Sequence, residues 1–292
     1  MVPNPSARTG RLGRAARLAS VAGLLTVTLA GCSTEEALRF GWPEGVTPQA
    51  KEMRELWTWS VIAALVVGVM VWGLMFWVIV RYRKRGDELP VQTRFNLPLE
   101  VLYTIAPVLI VCVLFYYTAV TQVYVNKEIE KPDVTVSVIG FKWNWIFAYP
   151  DAIGPDGRAV QTVGSSEEIP ILVLPTGKRI RFQESSNDVI HSFWVPEMLF
   201  KRDVIPGRTN SFEISSIDRT GAFVGRCAEL CGTYHSNMNF EVRAVSPEDY
   251  EKYIDARKNG ASMADALRAI NQNPKATTTV PFDTKRNDKS QR

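Results

Sequence analysis

One stretch limits the folds open to this chain more than any other, the 25 residues from Leu56 to Val80, which carry no charged side chain. A helix rising 1.5 Å per residue over this length crosses the roughly 30 Å hydrocarbon core of a bilayer. Tryptophans lie near both ends of the run, where aromatic side chains meet the membrane surface (Trp57, Trp59 and Trp77). The basic cluster Arg81–Arg85 follows directly and indicates a cytoplasmic end. The stretch therefore predicts a membrane span.

A second apolar run predicts a return span over residues 97–120. Apart from Glu100 it is uncharged until Lys127, and a membrane helix tolerates the internal Pro107. Residues 56–125 are thus predicted to form a transmembrane hairpin with both ends outside the cell. Residues 32–55 are predicted to be an exposed extracytoplasmic linker.

The N-terminal residues predict a secretory signal. Arginines in residues 8–17 precede the apolar run Leu18–Ala30, which is too short to span a bilayer. The sequence Leu29-Ala-Gly-Cys32 resembles the bacterial lipoprotein cleavage box. This resemblance implies a signal peptide over residues 1–31, a lipid on Cys32 and a location in a bacterial cell membrane. The alternative is an ordinary signal peptide with an incidental cysteine.

From Asp133 onward the pattern changes to the alternation of half-buried strands. Short strand candidates separated by turn residues predict a β-sandwich or barrel. The candidates are Val134–Val138, Trp143–Tyr149, Ile169–Leu174, Arg179–Ser185, Val189–Val195, Asn210–Ser216, Ala222–Arg226 and Asn239–Ala244. Helices are predicted after the capping residue Ser246 and over Ser262–Ile270, and a disordered tail from Asn271. The fold class is therefore an α+β membrane protein.

The chemistry of the chain is concentrated in the segment Cys227–Met238, which holds two thiols, an imidazole and a thioether. The chain contains only two histidines, His235 in this segment and His191 upstream. Two thiolates, two imidazoles and one thioether are soft or borderline ligands that suit copper, and two copper ions could share both thiolates. A disulfide between Cys227 and Cys231 and a zinc site remain alternatives.

Composition argues against two other classes of protein. The formal net charge of +4 is slight and comes mostly from terminal segments, so no nucleic-acid partner is expected. No Cys-x-x-Cys-His sequence occurs, so no haem is expected on this chain.

The spacing of the metal-ligating segment resembles the binuclear copper (CuA) loop of cytochrome c oxidase subunit II. Gly140–Tyr149 and Lys201–Arg208 are also similar to stretches of that family. The resemblance implies a cupredoxin-like copper domain over residues 130–258, followed by a tail at 259–292. The copper ligands it implies are His191, Cys227, the Glu229 carbonyl, Cys231, His235 and Met238.

The same resemblance implies an aa3-type oxidase. In such an enzyme this subunit takes electrons from cytochrome c at two copper ions and passes them to haem in subunit I, where oxygen is reduced to water and protons are pumped. A membrane-anchored copper-delivery or thiol oxidoreductase protein is the alternative.

Other residues acquire expected roles through the resemblance. Trp143 would be the point at which electrons enter, and the alternative is an ordinary tryptophan of the β core. Glu100 would lie at the mouth of a proton channel shared with subunit I, or else be an interfacial carboxylate. Glu229 would also join a magnesium ion at the subunit I interface. Asp188 and Asp203 are candidates to support the ligands or the interface.

Overall fold

The computed structural model describes residue 36 and residues 39–87, 89, 91–128 and 130–281. The predicted signal peptide and Cys32 lie outside these residues. The chain divides into two units after Trp42. Of the first unit, the described residues include a turn in which the Trp42 amide donates to the Arg39 carbonyl at 3.1 Å. The second unit, Pro43–Arg292, contains the two long apolar helices and the strands.

Two long apolar helices form the predicted hairpin. Helix α1 spans Pro48–Arg81 and helix α2 spans Leu97–Val125. Both are long and apolar enough to cross a membrane, and their most apolar windows contain no buried residue. Side chains such as Val69 and Val123 are more than 70% exposed, which is typical of a surface that meets lipid or a partner helix.

Helix α1 begins earlier than predicted, because Thr47 and Pro48 form a start signal. The Thr47 hydroxyl accepts a hydrogen bond from the Ala50 amide at 3.0 Å, and Pro48 occupies the first turn. Val46 is buried, its amide donates to the Glu197 carbonyl, and its carbonyl accepts from the Asp218 amide, both at 2.9 Å. The prediction of an exposed linker up to residue 55 is therefore wrong for residues 46–50, which are part of the packed structure.

The segment after α2 folds into two five-stranded sheets. Sheet A has the strand order β3-β2-β1-β5-β8 and sheet B the order β4-β10-β9-β6-β7. Most neighbours are antiparallel, and the pairs β1/β5 and β4/β10 are parallel. The strands are β1 Val134–Phe141, β2 Asn144–Ile153, β3 Ala159–Val163, β4 Ile171–Pro175, β5 Ile180–Ser186, β6 His191–Val195, β7 Phe200–Val204, β8 Asn210–Ile214, β9 Gly221–Cys227 and β10 Asn239–Val245.

Aromatic rings fill the space between the sheets. Phe193 stacks on Phe240 with ring centroids 4.7 Å apart, and Phe182 stacks on Phe212 at 4.5 Å. Trp145 is fully buried and meets Phe240 edge-on at 5.4 Å. Stacked and edge-on pairs of this kind add to the burial of apolar area, so this aromatic core supports the rigid scaffold on which the metal-ligating segment rests.

The C-terminal part of the chain packs against the sandwich. Helix α3 spans Pro247–Lys258, with Ser246 capping its first turn as predicted, and helix α4 spans Met263–Ala269. Leu267 of α4 is fully buried in the same core as the strands. The domain that was predicted to end at residue 258 therefore extends beyond it, and residues 259–281 are part of the domain and not a tail.

The prediction of disorder from Asn271 is wrong for residues 271–281. These residues lie against the side chains of Glu241 and Arg243 on β10. The Arg243 guanidinium donates to the carbonyls of Asn273 and Lys275 at 3.1 and 3.3 Å. Residues 282–292 lie outside the described part of the chain.

Candidate metal centre

The metal-ligating segment connects two adjacent antiparallel strands. Strand β9 ends at Cys227, and β10 begins at Asn239 directly after Met238. The Cys227 amide donates to the Met238 carbonyl at 3.1 Å and closes the base of the loop. The indole N–H of the buried Trp145 donates to the same carbonyl at 3.3 Å. The two ends of the loop are therefore fixed to each other and to the core.

The upstream histidine is brought to this loop by strand pairing. His191 is the first residue of β6, which pairs with β9 so that Phe193 lies opposite Cys227. The Ala228 amide also donates to the Ser192 carbonyl at 3.0 Å. On the other side, a Cβ placed on Gly140 would lie only 2.8 Å from His191 Cδ2. A side chain at residue 140 would therefore collide with the imidazole, and only glycine leaves room for it.

The predicted ligand atoms form a connected chain of short contacts. The two cysteine Sγ atoms lie 3.8 Å apart, and each is paired with one imidazole. His191 Nδ1 lies 3.9 Å from Cys227 Sγ, and His235 Nδ1 lies 3.6 Å from Cys231 Sγ. Met238 Sδ is 3.8 Å from Cys231 Sγ, whereas the Glu229 carbonyl oxygen is 3.3 Å from Cys227 Sγ. The structure thus brings all six predicted ligands together.

Both cysteines are free in this structure. Their separation of 3.8 Å is nearly twice the S–S bond length of about 2.05 Å. Within the described residues, His191, Cys227 and Cys231 offer ligand atoms that all lie within 4.8 Å of one another and are buried. This arrangement can hold a metal ion, and the disulfide alternative does not describe it.

Asp188 holds the imidazole of His191 in place. Its Oδ1 lies 2.9 Å from His191 Nε2, and its Oδ2 accepts from the Lys142 amide at 2.7 Å. This contact leaves Nδ1 of His191 facing Cys227. Burial opposes charge on His191, but hydrogen bonds to Cys227 and Asp188 outweigh it and raise the pKa of the imidazole. Asp188 therefore orients one candidate ligand, as was expected for a supporting residue.

The two thiols have opposite pKa shifts. Burial opposes ionisation of Cys227, yet hydrogen bonds from His191 and from backbone groups lower the pKa of that thiol to about 7. Burial and the neighbouring Cys227 raise the pKa of the Cys231 thiol to about 12. A thiolate so close to a second thiol opposes ionisation of that neighbour, and a bound cation would favour both thiolates.

Trp143 lies directly against the loop. It follows β1 in the turn to β2 and is half-buried, and its indole N–H donates to the Cys231 carbonyl at 3.2 Å. Tyr234 meets its ring edge-on, with centroids 5.1 Å apart. Gly232, at φ +120°, leaves space for the indole, since a Cβ there would lie 3.2 Å from Nε1. The sequence did not predict roles for Tyr234, Gly140 and Gly232, because these roles depend on contacts between distant segments.

Glu100 and Asp203 lie outside the metal-ligating segment. Glu100 is in the first turn of α2, where its Oε1 accepts a hydrogen bond from the Asn96 amide at 3.0 Å. That turn is at the other end of the 29-residue helix α2 from the copper domain, about 40 Å away along its axis. Asp203 is on β7 opposite Ser192. The side chain of Glu229 is exposed, although its carbonyl faces Cys227.

Comparison with known proteins shows the family to which this chain belongs. A family model described as cytochrome C oxidase subunit II, periplasmic domain, matches residues 134–245, and its transmembrane counterpart matches residues 35–119. A probable cytochrome c oxidase subunit 2 of Nocardia farcinica is 48% identical over 97% of this chain and 92% of its own length. The chain belongs to the cytochrome c oxidase subunit II family.

Two further relatives agree with this assignment. Cytochrome c oxidase subunit 2 of Mycobacterium bovis is 47% identical over 93% of this chain and 89% of its own length. A probable homologue from Streptomyces avermitilis is 42% identical over 89% of this chain and 93% of its own. The solved periplasmic domain of subunit II of the Bradyrhizobium japonicum oxidase is 32% identical, covers 45% of this chain and 97% of its own, and has a TM-score of 0.39.

Membership of the subunit II family confirms several predictions. These are the transmembrane hairpin followed by an extracytoplasmic β domain, the location in the membrane, and the function as a subunit of a terminal oxidoreductase. The alternative of a copper-delivery or thiol oxidoreductase protein is not favoured. The lipoprotein signal and the lipid on Cys32 stay predictions.

Proposed function

We propose that this subunit II carries a binuclear copper centre on Cys227, Cys231, His191 and His235. The observation that carries the proposal is the pairing of each unbonded thiol with its own imidazole, at 3.9 Å for Cys227 and 3.6 Å for Cys231. These four residues would hold two copper ions, because their thiols and imidazoles are the soft and borderline donors that suit copper.

The arrangement of donors favours two metal ions over one. A single tetrahedral zinc site would need both imidazoles and both thiols around one point. Here the group whose ligand atoms all lie within 4.8 Å of one another contains His191 and both cysteines but not His235. The weak donors are also distributed, because the Glu229 carbonyl approaches Cys227 and the Met238 thioether approaches Cys231. Soft sulfur donors with imidazole suit copper.

When bound, such a copper pair accepts and releases one electron with little change in its surroundings. The chain supplies the rigidity that this chemistry needs. The hydrogen bond from the Cys227 amide to the Met238 carbonyl closes the base of the loop, and the hydrogen bond to Asp188 fixes the ring of His191. We assign cytochrome c as the electron donor and haem in subunit I as the acceptor, as part of an oxygen-reducing, proton-pumping enzyme.

Trp143 is the proposed point at which electrons enter. Its indole N–H is bonded to the carbonyl of Cys231, a proposed metal ligand, so the ring and the centre are in direct contact. The ring is half-buried and thus also accessible from outside. These two properties together suit a residue between a docked donor and the copper pair.

Two glutamates have proposed roles at the interface with subunit I, Glu229 in magnesium binding and Glu100 at the mouth of a proton channel. Glu229 has an exposed carboxylate next to the centre, and a carboxylate suits a hard cation shared with subunit I. Glu100 is half-buried at the other end of α2, as a residue at the mouth of a proton channel would be. Each role needs the partner subunit to complete the site.

Electron paramagnetic resonance of the copper-loaded full chain tests the proposal. We expect the signal of one unpaired electron shared by two copper nuclei. His235→Asn should abolish this signal, whereas the neighbouring exposed Ser236→Ala should retain it. A wild-type spectrum from one isolated cupric ion would contradict the binuclear assignment.

Replacement of Trp143 tests the route of the electrons. In the assembled oxidase, Trp143→Phe should slow the oxidation of cytochrome c by about tenfold or more, because the bonded indole is lost, while the copper signal stays unchanged. Stopped-flow kinetics measures the rate. Equal rates in wild type and variant would remove Trp143 from this role and leave the copper assignment intact.

A further inference from the structure

A buried acid lies inside the copper domain and outside the metal centre. Glu184 on β5 points between the two sheets and is fully buried. Neither of its carboxylate oxygens accepts a hydrogen bond from any residue in the described part of the chain. Buried polar groups in folded proteins almost always have a partner, so an acid with two unsatisfied oxygens needs an explanation.

A second unsatisfied group lies on the neighbouring strand β7. The Nε–H of Arg202 is buried and has no acceptor among the described residues. Arg202 is also the main positively charged group that acts on the Glu184 carboxyl. The two orphaned groups have complementary hydrogen-bonding requirements, an acceptor and a donor, yet they form no direct ion pair in the described structure.

The guanidinium of Arg202 contacts Asn126 and Phe200. It donates to the Asn126 side-chain oxygen at 2.7 Å and lies over the Phe200 ring at 5.1 Å from the centroid. Asn126 is exposed and follows the last residue of α2, at the end of the membrane span. A polar connection therefore runs from the membrane-proximal surface through Arg202 toward the domain interior.

Among the residues that the structure describes, the other neighbours of Glu184 offer no second cation. In sheet A it lies opposite Val138 of β1 and Asn210 of β8. The Asn210 amide group is already engaged with the Asp203 carbonyl. From β7, Asp203 adds a negative charge that opposes ionisation of Glu184. One water molecule can bridge a buried donor and a buried acceptor, so water would satisfy both Glu184 and Arg202.

We propose that Glu184 and Arg202 line an internal hydrated site in which the Glu184 carboxyl holds one exchangeable proton. The ligands of this site are water and a proton. The proton arrives from water onto a carboxylate oxygen and returns to water when it leaves, and the route to the surface passes Arg202 and Asn126. The site goes beyond the proposed electron-transfer function, and its test does not depend on copper.

The electrostatics agree with a protonated carboxyl. Burial raises the pKa of Glu184 well above its usual range, and the nearby Arg202 lowers it by a smaller amount. A carboxyl group in water has a pKa near 4 and is ionised at neutral pH. A protonated Glu184 would therefore differ from them in a directly measurable way.

Infrared spectroscopy of the purified full chain tests the site. At pH 7 we expect a carbonyl stretching band of a protonated carboxylic acid that disappears in Glu184→Gln. The matched control Glu167→Gln, which alters an exposed acid, should retain the band. Transfer into D2O should shift the band, because the proton exchanges with water. Identical wild-type and Glu184→Gln spectra would overturn the proposal, and a band that D2O leaves unshifted would overturn its hydrated character.

A second variant keeps the test decisive if Glu184→Gln does not fold. Arg202→Gln removes the positive charge that favours ionisation, so the acid band should persist to higher pH than in the wild type. A band that is lost at neutral pH in Arg202→Gln would contradict the proposal.

Discussion

Two fully buried glutamates in the same domain have opposite surroundings. Glu241 lies on the outer face of sheet B and forms an ion pair with Arg243. Its other oxygen accepts hydrogen bonds from the amides and hydroxyls of Thr277 and Thr278, at 2.6 to 3.3 Å. Glu184, between the sheets, accepts none from the described residues.

Burial alone therefore does not determine the charge of an acid. Burial opposes ionisation of both residues. For Glu241, hydrogen bonds from Arg243 and from the amides of Thr277 and Thr278 outweigh that effect and lower the pKa of the carboxyl. For Glu184 no comparable donors are present in the described structure, and the pKa rises. One acid is a structural anion and the other a proton carrier.

The largest effect is expected from Glu241→Gln. The substitution keeps the shape of the side chain but leaves Arg243 buried without its counter-ion, which should cost about 3–5 kcal/mol of unfolding free energy. Chemical denaturation of the full chain measures the loss. The exposed Glu248→Gln should change stability by less than about 0.5 kcal/mol. A loss in Glu241→Gln as small as in this control would show that the ion pair is not structural.

A smaller effect is expected from shortening the C-terminus. A chain ending at Ala276 loses the hydrogen bonds from Thr277 and Thr278 to Glu241, which should cost about 2 kcal/mol in the same assay. A chain ending at Pro281 keeps these bonds and is the control. If both truncated chains were equally stable, the partners of Glu241 would not include this segment in solution.

The smallest effect, when it is taken per pH unit, is in the pH dependence, which also gives the sharpest contrast. Because the pKa of Glu184 is raised in the folded state, its contribution to folding stability is fully present below the ordinary carboxyl value of 4.5. This contribution is lost as pH rises toward the folded pKa. The slope is at most about 1.4 kcal/mol per pH unit. Because the pKa of Glu241 is lowered, its contribution to folding stability has the opposite pH dependence and is lost as pH falls below 4.5.

The two pH dependences can be separated by difference. Subtracting the stability of Glu184→Gln from that of the wild type, measured from pH 5 to pH 8, should give a value that decreases with pH. The corresponding difference for Glu241→Gln should not decrease over this range. Parallel pH dependences for the two glutamates would contradict the comparison.

Much of the fold and most of the candidate site follow from the sequence. Spans without charge, strand alternation and the spacing of Cys227–Met238 are local signals, and the structure places all six predicted ligands together. The missed strands β3 and β7 are both at sheet edges. Edge strands contact the core on few residues, and β7 reads as the charged sequence Phe-Lys-Arg-Asp-Val, so its alternation is weak.

The errors elsewhere have a common physical cause. Residues 271–281 are polar and look disordered, but their partners Glu241 and Arg243 are about thirty positions earlier in the sequence. Residues 46–50 look like a linker, but they are covered by residues near 197 and 215. Long-range hydrogen bonds leave no periodic pattern in the sequence, so composition predicts mobility where the fold provides partners.

The main-chain bonds of Val46 have a mechanical consequence. The hydrogen bond from the Val46 amide to the Glu197 carbonyl ties the start of the first membrane helix to the 3-10 turn Pro196–Met198, which follows the strand that begins with His191. Bonds between peptide groups do not depend on side-chain identity, so most substitutions leave them in place. The β domain is thereby attached rigidly to helix α1. A change in the tilt of α1 in the bilayer would therefore also move strand β6, which carries the buried imidazole of His191.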